Sequence, residues 1–178
     1  EPLRSSGKLG AIFLQYPRWF FPVSESRDEI LRAKERLADT PFAIELRHAS
    51  WFNDKNRDRT LAFLTDNAIP FVMVDAPPGT KSSVPPMTLV SSPKLAVVRF
   101  HGRRAETWEA SGIPVVERFR YLYDGGELAE WVPRIHEAAR EAPEVHVLMN
   151  NCYANYGTTN AREIADLLAA SLPSLGGS

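Results

Sequence analysis

With 178 residues, 44% of them apolar and 24% charged, the chain has the material for one sizeable core and the balance of an ordinary globular domain. A formal net charge of -1 supplies no global attraction to nucleic acid or to an anionic membrane, so any affinity for phosphate must come from a local cluster of arginines. The lone cysteine, Cys152, excludes an internal disulfide and a cysteine-built zinc cage and fits a reducing cytoplasm, and no apolar run is long enough to span a membrane.

After a polar start from Glu1 to Lys8, the run Leu9 to Tyr16 reads as a short buried strand with Ala11, Phe13 and Gln15 on one face and Gln15 at its carboxyl end. Pro17 and Pro22 mark a loop. Ser26 and Glu29 then stand at capping-box spacing and open a helix on which Ile30, the Lys34 stem and Leu37 share a face. Phe42 to His48 is the second strand, where Ala43, Glu45 and Arg47 share a face and bring opposite charges near the carboxyl end. Trp51 and Phe52 follow in a loop. A helix from about Asp58 to Asn67 leads to the third strand, Phe71 to Asp75, which stops on a carboxylate.

The segment Ala76 to Lys94, broken by Pro77, Pro78, Gly79, Pro85, Pro86 and Pro93, cannot form a regular helix. It reads as a long loop in a helix's place and as a candidate cover over the strand ends. In the next strand, Leu95 to Arg103, the residues Leu95, Val97, Arg99 and His101 share one face while Ala96, Val98 and Phe100 share the other, so one face turns from apolar to cationic. A strand apolar on both faces over its first half suits a parallel sheet covered on both sides, whose carboxyl end is where such sheets take ligands. A structural ion pair at Arg99 and a packing role for His101 stay open. Beyond Trp108 and a polar stretch to Glu117 comes Phe119 to Tyr123, whose Tyr123 is a candidate ligand contact or a half-buried packing residue. The helix predicted from about Glu127 to Arg140 sets Leu128, Trp131, Val132 and Ile135 on one face, with Pro133 starting or bending a turn. The last unit is a strand, Val145 to Asn151, a loop through Tyr153 and Tyr156, and a helix from Asn160 carrying Ile164, Leu167 and Leu168.

Alternating strands and crossovers imply parallel strands with right-handed connections, in an open doubly wound sheet or in part of a (β/α)8 barrel. Neither GxGxxG nor GxxxxGK[ST] occurs, so no Rossmann or P-loop phosphate cradle and no cofactor is expected.

Several motifs in order, LGAIFLQYP, AIELRHASWF, VVRFHGR with ETW, FRYLY, EL-x-EW and NNCYANYGTTNA, make the chain similar to the domain-of-unknown-function-72 family, also called YecE-like. The resemblance runs over nearly the whole chain as one domain, 1–178. It implies a TIM-barrel-like fold of which this chain matches about five parallel βα units, strands four to eight, full members carrying three more upstream. The family brings no settled activity. Five strands cannot close a barrel, so two sheet edges are expected to stay raw and to favour self-association or a partner chain that completes the barrel. Phe13, Met73, Val97 and Leu148 are the residues expected to face the missing neighbours.

Brought to one mouth, the strand ends supply Gln15, Glu45, Arg47, His48, Asp75, Arg99, His101, Arg103, Asn150 and Asn151, and the carboxyl-end mouth is the site in TIM-like barrels. Three arginines against two carboxylates make a positive pocket, and arginine forks match phosphate or carboxylate. A small anionic ligand is therefore expected, with Glu45 or His101 as general acid or base, or with Glu45 locked in an ion pair instead. A second reading is a metal-dependent hydrolase of phosphodiesters with Glu45, Asp75, His48 and His101 as ligands, although the arginines oppose a divalent ion and no metal site is predicted. A third is a non-catalytic binding or assembly module that uses the Trp19, Trp51 and Trp108 loops as contact surfaces. Nucleic acid is disfavoured without being excluded, and the expected location is the cytoplasm.

Overall fold

The computed structural model describes residues 2–37 and 40–171, so Glu1 of the polar start lies outside the described residues. In chain order the elements are α1 (Pro2–Ser5), β1 (Ile12–Gln15), α2 (Ser24–Arg36), β2 (Phe42–Glu45), a 3-10 turn (Ala49–Phe52), α3 (Arg57–Asp66), β3 (Val72–Asp75) and β4 (Ala96–Phe100), followed by α4 (Ala105–Trp108), α5 (Val115–Arg118), α6 (Gly125–Ala129), α7 (Val132–Glu141), β5 (Val145–Met149) and α8 (Tyr156–Ser171). The polar start thus holds one short helix. The fold is α/β, and all strand pairings are parallel.

Neighbouring strands follow chain order, β1-β2 and β3-β4-β5, and the two groups meet where the Ile44 amide donates to Pro70 at 2.9 Å beside an Ile44–Phe71 bridge. The register sets Gln15 beside Glu45, Val74 beside Arg99, and Arg99 beside Leu148. Pleating then puts Phe13, Val97 and Leu148 on the inner face with the charged residues. Met73 pairs with Val98 and so points the other way, into the core between sheet and helices. It does not face missing neighbours.

That outer core holds Ile44, Met73, Val98 and Phe100 against Ile30 of α2, Leu64 of α3, Ile135 and Ala138 of α7 and Ile164 of α8, all buried. Helix α2 starts earlier than its expected capping box, since Val23 is the N-cap without a side-chain bond and Ser26 is buried inside the helix. The true box is Asp124 with Glu127 at the start of α6, each side chain bonding the other's backbone amide. Pro133 sits in the first turn of α7, where its missing N–H costs nothing.

The segment 76–94 carries no helix: its first half stays beside the loop after β2 and α4, where the Ala49 amide donates to the Lys81 carbonyl and the Ser82 amide to Glu109 Oε1, each at 2.8 Å, and its second half turns back. Ser91 Oγ donates to the Ile69 carbonyl at 2.6 Å and accepts from the Phe71 amide at 3.1 Å, and the Leu89 amide approaches Met73 Sδ at 3.4 Å. The loop therefore runs back over the outer face to the amino end of β3, replacing a crossover helix while Ser82, Ser83, Val84 and Ser92 are buried along it.

Candidate functional site

Backbone bonds extend the ladder one residue past the strands, because His101 donates to the Asp75 carbonyl at 2.8 Å and Asn150 to the Phe100 carbonyl at 2.7 Å. These bonds fix where His101 and Asn150 stand. On the inner face His101 meets Arg47 and Arg99 at Glu45, which is fully buried, while Asn150 bonds Arg99 and His101. Arg99 Nη1 donates to Glu45 Oε2 and to Gln15 Oε1, both at 2.7 Å, while its Nη2 donates to Asn150 Oδ1 at 2.5 Å. Arg47 Nη1 donates to Glu45 Oε1 at 3.3 Å. His101 Nε2 lies 3.0 Å from the same oxygen.

The histidine tautomer follows from this arrangement. Arg99 holds the Asn150 amide oxygen, so the Asn150 Nδ2 group must be what faces His101 Nδ1 at 3.0 Å. A donor there requires a bare Nδ1, and the ring proton belongs on Nε2, donated to Glu45. Burial, reinforced by Arg47 and Arg99, pushes the His101 imidazolium down despite the Glu45 carboxylate. For Glu45, burial raises the carboxyl, but the His101 hydrogen bond and the Arg47 and Arg99 charges outweigh it and leave the group at about 2. A neutral imidazole and one carboxylate against two guanidiniums leave one net positive charge at the mouth. Burial, with Arg99 and Arg118 nearby, lowers Arg47 even so.

Asp75 does not join this cluster. It pairs with Phe100 in the register, which turns it to the outer face, where it accepts from Tyr123 Oη at 2.8 Å, from Trp131 Nε1 at 2.7 Å, and from Arg103 through Nε at 3.0 Å and Nη2 at 2.7 Å. Arg103 also reaches Glu130 at 2.8 Å and Glu127 at 3.6 Å, and its bonds to Asp75 and Glu130 raise the guanidinium above its usual range. Three carboxylates hold this arginine, which leaves it no surplus charge for the mouth. Tyr123 is buried, and its hydroxyl donates to Asp75 while accepting from the Gly102 amide at 2.7 Å, so its one donor hydrogen is already used within the fold.

His48 is apart as well. Its Nδ1 accepts from the Ser50 amide at 3.2 Å and caps the 3-10 turn, and its ring meets Phe21 edge-on at 4.7 Å. Asn151 is buried and bonds the Tyr121 carbonyl and Asn160. Glu45, Asp75, His48 and His101 therefore do not form one donor set, and among the described residues no group of three or more His, Cys, Asp or Glu is placed to hold a metal. Trp51 and Trp108 are buried, which leaves Trp19 as the exposed indole of the three loops.

Two residues of the site were not among those predicted to touch a ligand. Trp108 packs its ring edge-on to His101 at 5.4 Å and lies under the Arg47 guanidinium carbon at 4.7 Å. Arg118 donates to the Ala110 carbonyl at 2.6 Å and is close enough to Arg47 for their charges to oppose. An aromatic eight residues past a strand carries no signal of such placement.

Among the described residues no helix is long and apolar enough to cross a membrane. A sequence model of the family described as "Protein of unknown function DUF72" matches residues 1–175. The chain is similar to the UPF0759 protein YunF of Bacillus subtilis (strain 168), 29% identical over 170 residues that make up 94% of this chain and 60% of that protein. It is also similar to two crystal structures. One is a DUF72 family protein from Enterococcus faecalis V583, with TM-score 0.86, 31% identity and coverage of 99% of this chain and 65% of the other. The second is a DUF72 family protein from Thermotoga maritima MSB8, with TM-score 0.82, 30% identity and coverage of 94% and 61%. The chain thus spans less than two thirds of the length of these relatives.

Proposed function

The chain belongs to the family of proteins of unknown function DUF72, and on that premise we propose that it binds a small phosphate- or carboxylate-bearing anion at the carboxyl ends of its strands, against Arg47 and Arg99. The observation that carries this reading is charge: two guanidiniums, 16% and 18% exposed, share the single buried carboxylate of Glu45. Both guanidiniums are partly desolvated, and there an anion is attracted more strongly than at a fully solvated surface. Arginine forks supply the matching donors.

Binding is favoured over turnover because both His101 ring nitrogens are engaged, one with Glu45 and one with Asn150. Proton transfer through His101 requires Asn150 to swing aside when the ligand arrives. The proposal includes a TIM-barrel-like setting for this mouth. Parallel strands adjacent in chain order support it, since a barrel is wound in that order whereas a doubly wound sheet reverses its order at a switch point.

Titration calorimetry with phosphate, manganese and zinc tests the reading. Phosphate is expected to bind, and Arg47→Gln to weaken it roughly ten-fold or more, as expected from losing a hydrogen bond to a charged group. Tight manganese or zinc binding with no response to phosphate would put the metal-dependent hydrolase ahead.

A further inference from the structure

Buried indole N–H groups in this protein are otherwise used: Trp51 Nε1 donates to the Phe20 carbonyl and Trp131 Nε1 to Asp75, each at 2.7 Å. Trp108 differs. It is 3% exposed, yet its Nε1 is buried without an acceptor, and so is Nε of Arg118. Both residues belong to the segment after β4, whose two short helices α4 and α5 are tied together where Thr107 Oγ1 meets the Arg118 carbonyl at 3.5 Å. Both also adjoin Arg47, with its carbon 4.7 Å from the centre of the Trp108 ring and its charge opposed by that of Arg118. Arg47 itself engages Glu45 only through Nη1 among the described residues. Two unpartnered buried donors therefore adjoin Arg47, and buried polar groups in native proteins usually have a partner.

We infer that Trp108 and Arg118 are binding residues of the mouth, donating with Arg47 to a tetrahedral oxyanion such as a phosphate group. The inference rests on the anion-binding reading and narrows its ligand. Arg47 stands over the indole ring, so the indole nitrogen and the guanidinium occupy different levels. A planar carboxylate seated in the guanidinium fork keeps both oxygens at the level of that fork, whereas a tetrahedral oxyanion also presents oxygens above and below it. The neutral indole donor adds geometry without further charge. Glu45, the carboxylate nearest Arg47, is already engaged by His101, Arg47 and Arg99; in the inferred complex a ligand oxygen is the indole's acceptor.

The experiment compares inorganic phosphate with acetate by calorimetry on the full chain, using wild type, Arg47→Gln, Trp108→Phe and Arg118→Gln. Phe keeps an aromatic ring at this buried position and removes the N–H together with part of the indole. The expected result is phosphate binding that is much tighter than acetate binding and that falls roughly ten-fold in Trp108→Phe and in Arg118→Gln, the loss for one hydrogen bond to a charged ligand. Trp108→Phe should melt somewhat lower than wild type because of the cavity it leaves, so the readout that tests the inference is phosphate affinity measured on the folded variant. A wild type that binds neither anion overturns the anion-binding reading itself. Phosphate binding lost in Arg47→Gln but unchanged in Trp108→Phe and Arg118→Gln, or acetate bound as tightly as phosphate, overturns this inference alone. If Trp108→Phe fails to fold because of the lost volume, Arg118→Gln decides between the remaining outcomes.

Discussion

Glu45 is the one carboxylate at which His101, Arg47 and Arg99 meet, so its removal leaves two partly buried guanidiniums without a counter-charge. Glu45→Gln is expected to destabilise the fold by about 3–5 kcal/mol, the usual cost of breaking a buried pair from one side. Urea unfolding measures it, and an unchanged midpoint would mean that solvent already screens the arginines. The pH dependence follows from two lowered groups. His101 has its folded value below the ordinary 6.5 because burial opposes its charge. Below 6.5 the unfolded chain takes up a proton that the folded one refuses, so stability is full above that pH and falls as pH drops beneath it, by at most about 1.4 kcal/mol per pH unit for one proton. Glu45 acts later in the same direction: its contribution is full above its ordinary 4.5 and is lost as pH falls toward about 2. Urea midpoints from pH 8 to pH 4 should show the first limb, and His101→Gln should flatten it. A wild-type curve flat between pH 6.5 and 5 would contradict a buried neutral imidazole. The convergence of Glu45, Arg99 and His101 was readable from alternation along single strands. The placement of Asp75 was not, because which face of one strand continues which face of the next is set by register, and nothing local in the sequence encodes that Val74, not Asp75, lies beside Arg99.

At the scale of elements, the five strands and their order were legible because each is a short apolar run bounded by turn residues. Their ends were not: Arg47 and His48 of the second predicted strand lie beyond Glu45, where pairing stops. The helix starts mixed both results. Pro133 marked the first turn of α7, but the box at Asp124 went unnoticed while the same spacing at Ser26 misled, since the motif is common and only the chain's entry angle decides which copy caps. The turn after β4 depends on Gly102. Its φ of +93° suits glycine, and a Cβ there would stand 2.6 Å from Tyr121 Cβ. Its amide also holds Tyr123 Oη, which in turn holds Asp75. Gly102→Ala is therefore expected to cost about 1–3 kcal/mol for the backbone strain, with any displacement of Tyr121 adding to it. Thermal unfolding checks this. A melting temperature equal to wild type would show that the turn relaxes without disturbing the Tyr123–Asp75 contact.

For the whole molecule, the consequence lies at the two ends of the sheet. Among the described residues β1 pairs only with β2 and β5 only with β4, so each presents one side of unpaired backbone donors and acceptors, a surface that templates pairing with another chain. The inner face near these ends is thinly covered: Leu148 is 38% exposed and Phe13 only half-buried, under the Arg99 guanidinium at 5.2 Å. Val97 at the centre is 2% exposed, so the shortfall is confined to the flanks. Burying a side chain of this size contributes roughly 1.5–3 kcal/mol, and two of them are a substantial part of a domain's net stability of about 5–15 kcal/mol. The 178-residue chain on its own is accordingly expected to be either marginally stable or associated, through pairing of these edges with a second copy or with further βα units of the kind its longer relatives have room for. Sedimentation velocity over a range of concentrations distinguishes the cases. Concentration-dependent association that is weakened by Leu148→Lys, which sets a charge on the exposed flank of β5, supports pairing at that edge. A compact monomer at every concentration, unfolding cooperatively at high temperature, would show instead that five strands and their helices suffice, and that the inner face needs no further cover.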